Sequence, residues 1–169
     1  YYYDCLNEEE RGIYEALLAI TDDPVSTDYR KGVRTDRDPQ SEAFGNAVNK
    51  AYQAMIFDHP ERFWFRKESS IFGYYYPSLP DKDGEYTVEF CLTEAYTDYE
   101  TEMTRFNEAV DLFFSDMDLT QPQPVLALQI HDKLMEMVTY DDVLADTFRE
   151  GGNGSFDYGY TAYGALVAN

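Results

Sequence analysis

With 169 residues, 44% hydrophobic and 17% aromatic, the chain suits one domain or a domain plus part of a second, and its composition is unlike a disordered acidic tail. Its 33 acidic against 13 basic residues give a formal net charge of -20, a field that repels nucleic-acid phosphates and anionic membranes and favours cationic or neutral partners. No apolar run approaches the roughly 20 residues of a membrane span, and the start Tyr1, Tyr2, Tyr3, Asp4 carries neither initiator methionine nor signal peptide, so a trimmed beginning is expected.

The first helix is predicted from about Glu8 to Ile20. Asn7 is its cap, Glu10 stands at the capping-box position, and Ile13, Tyr14, Leu17 and Leu18 recur at helical spacing. From Asp22 to Gln40 the period is broken by Pro24, Gly32 and Pro39, leaving a connector with a short extended segment within Val25 to Val33. Ser41 then caps a second helix through Phe44, Val48, Ala51, Tyr52, Met55 and Ile56 to Asp58, and Pro60 stops it.

A small antiparallel sheet is expected next, from Phe63 to Phe65, Ile71 to Tyr76 and Tyr86 to Leu92, all rich in aromatic and β-branched residues. Asp81 to Glu85 is acidic, but Asp83-Gly84 marks it as a hairpin turn and not a calcium loop, which needs acids at more fixed offsets. The spacing of Met103, Phe106, Ala109, Val110, Phe113 and Phe114 predicts a long helix from about Asp98 to Asp116, and Val125 to Val138 predicts a fourth. Asp141 to Gly159, with Gly151, Gly152 and Gly154, reads as an irregular loop, and a short final helix begins near Thr161. The fold class read from these elements is α+β, with amphipathic helices packed on a small antiparallel sheet.

Cys5 and Cys91 are too few for a disulfide framework and lack metal-ligand spacing, so two free thiols are expected, although a bridge between them stays open. A triad of Cys91, His131 and Asp132 is disfavoured, because Cys91 falls in a strand and adjacent helical side chains project about 100° apart. His59 is placed in the turn before Phe63, and Trp64 is read as packing. The 16 tyrosines, among them Tyr74 to Tyr76, Tyr158, Tyr160 and Tyr163, read chiefly as sheet–helix filling, with an aromatic binding surface as the alternative.

Two stretches carry a resemblance. Ile130-His131-Asp132 with Leu134, Val138, Tyr140 and Asp141, followed after a loop by Ala162-Tyr163-Gly164-Ala165-Leu166-Val167, resembles the opening of a bacterial transglutaminase-like (papain-like cysteine) domain. Asp58-His59-Pro60-Glu61-Arg62-Phe63-Trp64 resembles an element that precedes that core. The resemblance is sharp over Asp58 to Phe65 and Ile130 to Val167 and loose elsewhere.

It implies an N-terminal helix and sheet region over 1–119 and the start of a transglutaminase-like core over 120–169, the two packed as one unit. It further implies thiol acyl transfer on protein or cell-wall peptide amides. The family's cysteine, histidine and aspartate would all follow Asn169, so the resemblance assigns this chain no catalytic, metal or cofactor residue. It assigns only a supporting frame of Tyr140, Asp141, Tyr163 and Gly164. The implied partners are a peptide or protein substrate of the parent and the parent's own C-terminal half, and the implied location is extracellular or cell-surface. The rival reading is a catalytically inactive binding or interaction module of an exported bacterial protein.

Overall fold

The computed structural model describes residues 1–66, 71–139, 142–149 and 161–167. The fold is α+β, with helices packed on a three-stranded antiparallel sheet. Contacts divide the chain into two compact units, Tyr1–Tyr99 and Glu100–Asn169.

In the first unit, a 3-10 turn over Tyr2–Cys5 leads into helix α1, Glu8–Ile20. Asn7 and Glu10 form the reciprocal capping box, each side chain bonding the other's backbone N–H at 2.9 Å. Helix α2, Glu42–Asp58, starts at Ser41, whose hydroxyl accepts the Phe44 N–H, and buries Phe44, Ala47, Val48, Ala51, Ala54 and Met55. Both helices keep the bounds that caps and apolar spacing predict.

Strands β1 (Lys31–Thr35), β2 (Phe72–Tyr75) and β3 (Tyr86–Leu92) form a sheet of order β1-β3-β2. Val33 pairs with Val88 in one ladder, and Phe72 with Leu92 and Tyr74 with Phe90 in the other. Helix α1 packs against α2, β1 and β3, so the core lies between the two helices and the Val88, Phe90, Leu92 face of the central strand. Gly84, at φ +82, closes the turn at Asp81, its N–H donating to the Asp81 carbonyl at 3.0 Å.

One expected strand is corrected. Phe63 to Phe65 do not extend; they lie in a 3-10 turn over Pro60–Arg66 that bends at Arg62. A half-buried strand hides alternate side chains, whereas Phe63, Trp64 and Phe65 are all buried in succession. Arg62 fixes the turn by donating to the Thr21 carbonyl and to Asp22, both at 2.9 Å, which ties it to the end of α1. The third strand is β1 instead, an edge strand that overlaps the short extended segment expected within Val25 to Val33, although its Lys31, Gly32 and Arg34 carry no apolar pattern.

The second unit holds α3 (Tyr99–Phe114, less its first residue), α4 (Gln123–Met137), α5 (Asp142–Arg149) and α6 (Ala162–Leu166). The irregular loop expected from Asp141 is helical over Asp142–Arg149, where Val143, Leu144 and Phe148 recur at helical spacing in the sequence and an acid opens the first turn. The rest of that expected loop, 150–159, lies outside the described residues.

Candidate functional site

The segment from Asp58 to Phe65 is a joint at which three parts of the first unit meet. The Asp58 carboxylate, at the end of α2, accepts the backbone N–H groups of Tyr2 and Tyr3 at 2.9 Å each and the hydroxyl of Tyr14 at 3.3 Å. Burial raises its pKa, but these hydrogen bonds outweigh it and hold the carboxyl below its ordinary value. Tyr14 responds in the opposite sense: burial first, then the Asp58 charge, push its phenol up to about 12. His59 caps α2 and sits in the turn as expected, with Nδ1 2.8 Å from Glu61 Oε1.

Trp64 is fully buried, stacked on Tyr96 at 5.3 Å and edge-on to Phe65 and Tyr99. Among the described residues its indole Nε1 has no hydrogen-bond partner. The packing role expected of this ring is the one the structure gives it. The sequence offers no signal for the roles of Asp58 and Arg62, since both depend on segments distant along the chain.

The two thiols are free, Cys5 exposed and Cys91 buried. Cys91 lies within β3 with Sγ 3.9 Å from the Gly73 carbonyl and with Arg30 beside it as a charge and hydrogen-bond partner. His131 and Asp132 are closer than their 100° projection suggests, with Nδ1 3.1 Å from Oδ1. Both side chains are exposed, and their contact removes the objection raised from helical projection alone. The pair belongs to the second unit and Cys91 to the first.

Of the frame residues, Tyr163 is buried in α6 with its ring stacked on Phe106 at 6.3 Å. Gly164 donates its N–H to the Thr161 hydroxyl at 3.0 Å, so Thr161 caps the helix that begins where predicted. Tyr140 and Asp141 lie outside the described residues, as do Tyr158 and Tyr160. Tyr74 packs on Phe44 and Phe90, and Tyr75 carries the Arg30 guanidinium 4.5 Å above its ring.

At the Asp81 turn, Oδ1 accepts the N–H groups of Asp83 and Glu85 and Oδ2 pairs with Arg34 at 2.9 Å, so this carboxylate is spent on the turn itself. Among the described residues, no group of three or more His, Cys, Asp or Glu is arranged to hold a metal ion. No described helix is long and apolar enough to cross a membrane. No protein-family model, no curated protein and no solved structure matches this chain.

Proposed function

We propose that this chain is a non-catalytic part of a transglutaminase-like thiol acyltransferase or peptidase that acts on protein or cell-wall peptide amides. The observation that carries the reading is the Thr161-capped helix over Ala162–Leu166, with Tyr163 buried beneath it, in the stretch that resembles the family's approach to its nucleophile. The His131-Asp132 helix precedes it in the family's order, and the Asp58 to Trp64 joint precedes both.

In this reading the chain supplies framework. A thiol nucleophile needs a base in hydrogen-bond reach and a partner that orients the base. Cys91 is a buried strand thiol beside Arg30, and Cys5 sits in an exposed 3-10 turn. In this reading the nucleophile, its histidine and its aspartate are expected downstream of Asn169 in the parent gene, and the parent at the cell surface or outside the cell.

Reading the codons that follow Asn169 tests this. A cysteine within a few residues, with a histidine and an aspartate later, is the expected result. A stop codon or another residue at that position supports the alternative, a catalytically inactive interaction module, which the exposed apolar side of α4 independently favours.

A further inference from the structure

Helix α4 is apolar on two opposite sides. Leu126, Ile130 and Leu134 are half-buried on one, together with Lys133, whose Nζ donates to the Phe113 carbonyl at 2.6 Å and to Asp116. Val125, Leu128 and Met135 stand at 41%, 60% and 69% exposure. At 100° per residue the centres of the two rows fall nearly half a turn apart. A surface helix ordinarily shows water one polar face, and no residue of α4 is fully buried.

We propose that the outer row of α4 is a docking surface for a cationic amphipathic helix. Charge selects the partner. Asp132 sits four residues after Leu128 and three before Met135, hence beside both on the helix surface, with its Oδ1 3.1 Å from His131 Nδ1, and the Glu136 side chain follows. The one Lys or Arg within Gln123–Met137 is Lys133, which is engaged with Phe113 and Asp116 on the other side. A second copy of this chain would bring two net charges of -20 together and set the same acids against each other. A helix with leucines on one face and lysines along its flanks meets the apolar row and its acids at once, and Met135 adapts to irregular apolar surfaces.

The probe is a fluorescein-labelled Leu/Lys peptide of about four helical turns, titrated by anisotropy against the whole chain at low salt and at roughly 150 mM salt. The paired variant Leu128→Glu with Met135→Glu adds negative charge while destroying the apolar row, so it separates docking from bulk attraction. Docking predicts at least tenfold weaker binding by this variant, and loss of binding when the peptide's leucines become serines. Equal or tighter binding by the glutamate variant would reduce the effect to bulk charge and overturn the proposal. Absence of binding by the wild-type chain overturns it too, as does a wild-type dimer in light scattering that the same variant dissolves. Leu128→Ser with Met135→Ser must give the same weakening, which keeps the test decisive should the glutamates disturb the fold, as read by circular dichroism.

Discussion

Asp58 accepts the phenolic proton of Tyr14 at 3.3 Å while the same carboxylate holds the Tyr2 and Tyr3 amides at 2.9 Å. In Asp58→Asn the charge is lost but the burial of Tyr14 remains. The Tyr14 phenol, pushed up to about 12 with burial as the larger cause, should therefore fall part of the way and stay above the ordinary value of about 10. Tyrosine-labelled NMR titration reads this, and the Tyr2 and Tyr3 amides should exchange faster in the variant. A Tyr14 titration that does not move contradicts the pairing.

Trp64 combines a fully buried ring with an indole N–H that has no hydrogen-bond partner among the described residues. Trp64→Ala should cost about 3–5 kcal/mol in chemical denaturation, since it leaves a large cavity. Trp64→Phe keeps much of the volume and removes the unsatisfied donor, so its cost should stay under about 2 kcal/mol. Equal losses would mean that the retained ring volume recovers nothing and would contradict the packing role.

Glu10 stands in the capping box and meets Lys50 Nζ at 2.7 Å. Burial raises its carboxyl, but the Lys50 hydrogen bond and the Asn7 amide outweigh burial and leave it lowered from 4.5. A carboxyl lowered on folding stabilises the protein above its unfolded pKa and loses that contribution as pH falls through the folded value. Glu10→Gln should thus be less stable at pH 7 by up to about 1 kcal/mol, a modest figure because Lys50 is half-exposed and screened. The difference should close as pH falls below 4.5, as measured by urea denaturation across pH.

Lys133 donates to the backbone carbonyl of Phe113, an acceptor in the last turn of α3. Lys133→Met drops the donor and with it the ammonium that lies 5.0 Å from the Phe113 ring centroid. The second unit should lose about 1 kcal/mol, and amide exchange near the end of α3 should quicken. Protection unchanged from wild type would assign the contact no weight.

Helices α1 and α2 were legible because their bounds are local: Asn7, Ser41 and Pro60 act within a turn of where they stand. The aromatic triplet Phe63 to Phe65 was misread as a strand because propensity is local, while the Arg62 bonds to Thr21 and Asp22 that shape the turn are not. Strand β1 carried almost no apolar signal, since an edge strand of Lys31, Gly32 and Arg34 is defined by its ladder to β3. At the candidate site, a short final helix beginning near Thr161 was legible in the sequence, while the Thr161 hydroxyl cap that starts it is seen in the structure. The His131-Asp132 contact was not, because exposed side chains settle by rotamer and not by helical projection.

In the proposed reading the residues of this chain frame a thiol acyl-transfer site without containing its nucleophile. Incorporation of a fluorescent amine into glutamine-containing peptides, with and without iodoacetamide, tests it most directly on the 169-residue chain beside the full product of its gene. The predicted result is no incorporation by the chain and iodoacetamide-sensitive incorporation by the full product. Iodoacetamide-sensitive incorporation by the 169-residue chain alone would contradict it.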